Sequence, residues 1–184
     1  PTAGSETILL AEDEDQVRKL AVRILTMNGY RVLEANDGGS AYLKCKEYKK
    51  DIDLLLTDVM MPEMTGYEMC RAIKDNPLLS PIPLILLTTL SDPEDILKGV
   101  EAKADFYLTK PFDETALLSR VKDVLDQPVE LKKDEKWEEL EIVVRGKRRK
   151  VRSTSTRIMN LLLSTYENAV LRNTELLNAQ VELR

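Results

Sequence analysis

Five short β-prone runs recur between residues 1 and 126, and four of them end directly in charged or hydroxyl side chains. Ile8-Leu9-Leu10-Ala11 runs into Glu12-Asp13-Glu14-Asp15. Leu54-Leu55-Leu56 leads to Asp58, Ile85-Leu86-Leu87 to Thr88 and Thr89, and residues 104–108 to Lys110. The remaining run, Arg31 to Ala35, follows an Asn28-Gly29 stop. Runs this short and this apolar suit strands buried on both faces, as in parallel sheets.

The segments between them carry helix spacing. Val17, Leu20, Ala21, Ile24 and Leu25 mark one face of a helix over residues 14–28. Further helices are predicted over residues 38–49, from Met64 to Asp75, from Asp92-Pro93-Glu94 onward, and over 112–126. Asp92 suits an N-cap and Pro93 the first helical position. Strands alternating with helices predict an α/β fold, a doubly wound five-stranded parallel sheet. Such a sheet binds ligands beyond the carboxyl ends of its strands.

Composition narrows the chemistry available there. The 184 residues contain no histidine. That excludes Ser-His-Asp and Cys-His catalysis, imidazole-ligated zinc, and a phosphohistidine on this chain. The two cysteines, Cys45 and Cys70, lie in helical stretches among apolar neighbours and read as packed thiols. No run approaches the roughly 20 apolar residues of a membrane span, so a cytoplasmic protein is expected. What remains at the strand ends is carboxylates, a hydroxyl and an ammonium. Clustered carboxylates repel one another unless a cation neutralises them. An all-oxygen donor set favours a hard ion, magnesium first among them. With Asp58, Thr88 and Lys110 beside it, the pocket is charged to receive a phosphoryl group. Taken singly, Glu14 and Asp15 read as helix-starting acids.

Residues 6–126 resemble the receiver domain of two-component response regulators. The resemblance rests on Ile8-Leu9-Leu10-Ala11-Glu12-Asp13, on Asp58-Val59-Met60-Met61-Pro62 with Gly66, on Thr88, and on Tyr107-Leu108-Thr109-Lys110-Pro111-Phe112. The intervals, 30 residues from Asp58 to Thr88 and 22 from Thr88 to Lys110, fit as well. The resemblance implies the flavodoxin-like strand order 2-1-3-4-5. It implies Asp58 as phosphoacceptor, attacking a phosphohistidine of a sensor histidine kinase or phosphotransfer domain. Mg2+ would be held by Glu12, Asp13, Asp58 and the backbone carbonyl of Met60. Thr88 and Lys110 would bind the phosphoryl group, and Tyr107 would be the aromatic switch that moves inward with Thr88. Lys110-Pro111 would be cis.

Three departures from the family pattern stand out. Glu12 replaces the more frequent aspartate. Lys103 stands where glycine is common, at a cost of about 1 kcal/mol if its φ is positive. Met60 and Leu90, beside the acceptor, cannot orient a water, which predicts slow autodephosphorylation. Gly66 is expected to permit a tight turn after the acceptor loop, and Pro62 to rigidify that loop.

The charge then changes sign. Residues 1–126 carry 15 basic and 23 acidic side chains, residues 127–184 carry 12 and 9, so the balance moves from −8 to +3. The chain is expected to divide into a tail at 1–5, the receiver at 6–126, a join at 127–136, a β-hairpin at 137–152 and a long helix at 153–184. The basic run from Arg145 to Arg152 lacks aromatics and a helix-turn-helix pattern, so it reads as a solvated strand face, without specific nucleic-acid binding.

In the helix, Leu162, Ala169, Leu176 and Leu183 recur every seven residues, beside a column of Leu163, Val170 and Leu177. This favours a parallel homodimeric coiled coil over a helix docked back on its own domain. Leu161 to Val170 with Asn173 and Glu175-Leu176 is similar to a connector that follows receivers in multidomain sensor proteins. The repeat still runs at Arg184, so an effector beyond it is expected, a sensory domain with a histidine kinase, or less often a diguanylate cyclase.

Two other classes fit less well. A receiver-like module acting by contacts alone would not need the full Glu12, Asp13, Asp58, Thr88 and Lys110 set. A phosphatase of the haloacid dehalogenase type needs an acid two residues after its nucleophile, where this chain has Met60.

Overall fold

The computed structural model describes residues 4–89, 92–126 and 136–182. Leu90 and nearly all of the expected join at 127–136 lie outside the described residues. Five strands and five helices alternate: β1 (Thr7–Ala11), α1 (Asp15–Met27), β2 (Arg31–Ala35), α2 (Gly38–Glu47), β3 (Leu54–Asp58), α3 (Gly66–Asp75), β4 (Leu84–Thr88), α4 (Pro93–Glu101), β5 (Phe106–Thr109) and α5 (Glu114–Leu125). Two longer strands, β6 (Glu138–Val144) and β7 (Lys147–Ser153), precede α6 (Ser155–Glu182).

The sheet order is β2-β1-β3-β4-β5, with every pair parallel. The expected topology is therefore the observed one. Alternate side chains of the central strands feed two cores. Leu9, Leu55, Leu84 and Leu86 pack with α3 residues such as Met69 and Ile73, while Ile8, Leu10, Leu56, Ile85 and Leu87 pack with Leu25, Leu117 and Val121 of α1 and α5. Burial on both faces explains why these strands read as unbroken apolar runs.

Local chemistry sets the helix starts. Asp37, Asp92 and Asp113 each accept a backbone N–H from the first turn of α2, α4 and α5. Thr65 and Glu68 form a reciprocal capping box on α3. Glu14 occupies the N-cap position of α1 without a side-chain cap bond, so its carboxylate is not the cap anticipated. Helix α3 begins at Gly66 rather than Met64 because that box fixes its start at Thr65.

Gly66 is needed for a reason other than a turn. A Cβ there would lie 2.1 Å from the carbonyl oxygen of Asp58. Close approach of α3 to the end of β3, not a left-handed backbone, requires the glycine. Lys103 does adopt a positive φ, 63°, and carries the strain expected of a non-glycine residue there.

Strands β6 and β7 pair antiparallel around Arg145 and Gly146, with φ of 48° and 76°. Two consecutive positive φ values are those of a tight two-residue hairpin turn. The basic face is only partly a solvated one. Arg145 Nη2 lies 2.7 Å from Asp92 Oδ2, tying the hairpin tip to the start of α4.

Helix α6 both docks and projects. Leu161 is buried in the core beside Tyr107 and Ala102. Leu162, Leu163, Tyr166, Val170, Leu176 and Leu177 stay exposed on another face. The docked arrangement, weighed second on sequence, is present within one chain, and it leaves the heptad columns uncovered.

Candidate functional site: an acidic cluster at the strand ends

The carboxyl ends of β1, β3, β4 and β5 bring Glu12, Asp13, Asp58, Thr88 and Lys110 to one edge of the sheet. Glu12, Asp13 and Asp58 each present a carboxylate oxygen within 4.8 Å of the others. Glu12 is fully buried and Asp58 nearly so, while Asp13 is exposed. Lys110 Nζ donates to Glu12 Oε2 at 2.7 Å and lies 3.0 Å from Asp58 Oδ1. The backbone N–H of Val59 also donates to Asp58 Oδ1, at 2.8 Å. Asp58 Oδ2 accepts no hydrogen bond among the described residues, so one oxygen is tethered and the other is available.

Electrostatics follow from this packing. Burial raises the pKa of Glu12, the charge of Asp58 adds to the rise, and the bond from Lys110 opposes it. Burial works to lower the Lys110 pKa, but bonds to Glu12 and Asp58 outweigh it and leave it raised. Three carboxylates against one ammonium leave two negative charges, all on oxygen donors. That set fits one hard divalent cation.

Thr88 ends β4 in register with Thr109. Tyr67 on α3 hydrogen-bonds Thr88 and donates its hydroxyl to the Asp95 carbonyl of α4 at 3.1 Å. Burial chiefly pushes the Tyr67 phenol up to about 12. Tyr107 is buried at 1% exposure, its ring packed against Gly99 of α4, where a Cβ would stand 2.9 Å from Cε1. Its hydroxyl is buried without a hydrogen-bond partner among the described residues, and burial raises its pKa. The Lys110-Pro111 peptide is cis. Met60 points to solvent at 75% exposure and offers no acid beside Asp58.

Sequence reasoning missed a second polar centre, at the end of β5 opposite Lys110. Asp105 lies 2.5 Å from Lys74 of α3 and 2.9 Å from Arg157 of α6, with all three side chains largely buried. Arg157 also stacks on Trp137 at 4.6 Å. The available signal was the polar set Asn160, Ser164 and Asn168, spaced four residues apart along one line of the helix.

A five-stranded parallel sheet with a carboxylate cluster, a hydroxyl and a lysine at its strand ends is an arrangement that a known family shares. Residues 8–122 match the response regulator receiver domain, and the chain belongs to that family. A probable transcriptional regulator, ycf27, of Galdieria sulphuraria is 42% identical over 121 residues, 65% of this chain and 45% of its own length. The phosphate regulon transcriptional regulatory protein PhoB of Pseudomonas aeruginosa is 38% identical over 120 residues, 65% of this chain and 52% of its own. The chain thus spans about half the length of the curated relatives it matches.

Among solved structures, the chemotaxis response regulator CheY4 of Vibrio cholerae superposes with a TM-score of 0.62 at 31% identity, covering 66% of this chain and 100% of that one. A receiver domain of a sensor histidine kinase from Pseudomonas aeruginosa PAO1, solved with magnesium ion coordinated in the active site cleft, superposes at 0.63 with 27% identity, covering 67% and 100%. No described helix is long and apolar enough to cross a membrane.

Proposed function

We propose that Asp58 accepts a phosphoryl group from a phosphohistidine of a sensor histidine kinase or phosphotransfer domain. The observation that carries this reading is the asymmetric hold on Asp58: Oδ1 is fixed by Val59 N–H and Lys110, while Oδ2 is left to attack. Attack forms the Asp58 acyl phosphate as the phosphorus–nitrogen bond to the donor imidazole breaks. Phosphoryl transfer needs positioning and charge neutralisation more than covalent help. Lys110 supplies charge to one phosphoryl oxygen and Thr88 donates its hydroxyl to another. Glu12, Asp13, Asp58 and the Met60 carbonyl would hold Mg2+, which supplies charge neutralisation at the reacting oxygens. Recruitment of Thr88 favours the inward seat of Tyr107, the site's switch residue.

Residues 6–126 form the receiver, 127–136 the join, 137–152 the hairpin and 153–184 the output helix. The exposed columns Leu162-Ala169-Leu176 and Leu163-Val170-Leu177 pair two copies in parallel. This connector carries the phosphorylation signal to an effector of the histidine kinase type, inside the cytoplasm.

The test is incubation with magnesium and acetyl phosphate followed by intact mass. A single phosphoryl adduct in the wild type, lost in Asp58→Asn, is expected. An unchanged mass in the wild type would instead favour a module that acts by contacts alone. Light scattering of the full chain and of a Leu162→Lys/Leu176→Lys variant checks the pairing. Equal mass for both would sink it.

A further inference from the structure

Two hydroxyls meet at the end of β4, and their protons can be assigned. Tyr67 is hydrogen-bonded to Thr88 and, at 3.1 Å, to the Asp95 carbonyl. A carbonyl oxygen only accepts, so the single phenol proton goes to Asp95. Toward Thr88 the phenol oxygen is therefore the acceptor, and the Thr88 proton is spent on it. Both residues are buried, at 7% and 5% exposure, so water does not make good the loss of either partner.

The phenol is in no position to follow Thr88. Tyr67 lies in the first turn of α3, directly after Gly66. The Gly66 N–H donates to the Val59 carbonyl at 2.9 Å, which fixes this turn to the acceptor loop. The capping box of Thr65 and Glu68 closes the same turn. At the far end of the ring, the hydroxyl is held by the first turn of α4 through Asp95. Tyr67 is thus anchored from two helices, while Thr88 ends a strand.

The phosphoryl site asks for the same proton. In the phosphoacceptor reading above, on which this inference rests, Thr88 donates its hydroxyl to a phosphoryl oxygen. A hydroxyl carries one proton, so that bond and the bond to Tyr67 compete. We propose that Tyr67 is a positioning residue that holds Thr88 off the phosphoryl site, so that transfer of the Thr88 bond from phenol to phosphoryl oxygen sets how readily Asp58 is occupied. Tyr67 touches no reacting atom and acts through Thr88 alone. Its weight is that of one neutral hydrogen bond, about threefold to tenfold in affinity. Tyr67→Phe keeps the ring and removes the competing acceptor. Thr88 then turns to the phosphoryl oxygen without giving up a bond, and the binding-competent share of the protein rises.

Beryllofluoride with magnesium, a stand-in for the phosphoryl group, is the probe. It is titrated by calorimetry into the full chain as wild type, Tyr67→Phe, Thr88→Ala and the double variant. Binding about threefold to tenfold tighter in Tyr67→Phe is expected, with no such gain once Thr88 is alanine. Equal or weaker binding in Tyr67→Phe would overturn the proposal alone. So would the same gain with and without the Thr88 hydroxyl, which would mark an effect of packing. Absence of binding in the wild type would overturn it together with the phosphoacceptor reading. Melting the same proteins without ligand gives a second readout that needs no binding by Thr88→Ala. Two bonded hydroxyls predict a loss in the double variant smaller than the sum of the single losses. Additive losses would remove the bond, and the proposal with it.

Discussion

The α-carbon of Gly66 approaches Asp58 so closely that any side chain at that position would meet the Asp58 carbonyl oxygen, 2.1 Å from where its Cβ would sit. The acceptor loop and the start of α3 are thereby packed backbone to backbone. Gly66→Ala must push them apart. Overpacking of this kind costs about 1–3 kcal/mol, and urea denaturation should show a loss in that range. Labelling by acetyl phosphate should fall with it. A variant as stable and as readily labelled as the wild type would contradict the close-packing account.

The lifetime of the phosphoryl group depends on which side chains flank it. Met60 is apolar and exposed, so it places no water against Asp58. We expect slow autodephosphorylation, and a gain of about tenfold in rate for Met60→Glu if a carboxylate there orients the attacking water. Release of inorganic phosphate from the isolated phosphoprotein measures both rates. A wild-type half-life of only seconds would refute the first expectation.

Arg157 and Lys74 share one carboxylate, Asp105. Arg157→Ala leaves Asp105 paired with Lys74, so the loss should sit near the low end for a broken buried pair, about 3 kcal/mol. The Trp137 ring loses its cation at the same time. Tryptophan emission, reporting the chain's single Trp, should shift in this variant while the fold persists by circular dichroism.

Lys103 holds a left-handed backbone at φ 63°, and its ammonium pairs with the exposed Asp75 carboxylate. Lys103→Gly and Lys103→Ala both lose that ion pair. Only glycine relieves the backbone, so the glycine variant should be the more stable of the two by about 1 kcal/mol. Equal melting temperatures would argue that the turn relaxes.

Both cysteines are buried, and burial pushes each thiol from 9.0 up to about 12. A thiol that keeps its proton longer when folded contributes stability below pH 9.0, and that contribution is lost as the pH rises toward about 12. The slope is about 1.4 kcal/mol per pH unit for each thiol within that window. Denaturation midpoints measured across it should fall less steeply in Cys45→Ala than in the wild type. Thiol reagents should label neither cysteine until the protein is unfolded.

The strands and the converging groups were legible because buried parallel strands are short apolar runs, and chemistry sits at their carboxyl ends; the strand order came only from the family resemblance. Asp92 as a cap and the hairpin within residues 137–152 were legible for similarly local reasons. The role of Gly66 was not, because glycine marks both left-handed turns and close contacts, and only coordinates separate them. The docking of α6 ranked second on sequence for another reason. A heptad repeat reports which face is apolar, whereas this helix docks mainly through Arg157, Asn160, Ser164 and Asn168. Polar anchoring of that kind leaves no hydrophobic period.

The way α6 lies on β5 also bears on how copies of this protein behave in concentrated solution. The carbonyls of Asp105, just before β5, and of Tyr107 on β5 accept from Asn160 and Ser164. A rim strand with unclaimed backbone groups is a template for strand addition and aggregation. At the opposite rim, β2 presents the charged side chains of Arg31 and Glu34 to solvent. One margin of the sheet is thus shielded by charge and the other by the chain's own helix, which guards the sheet against growing into its neighbours.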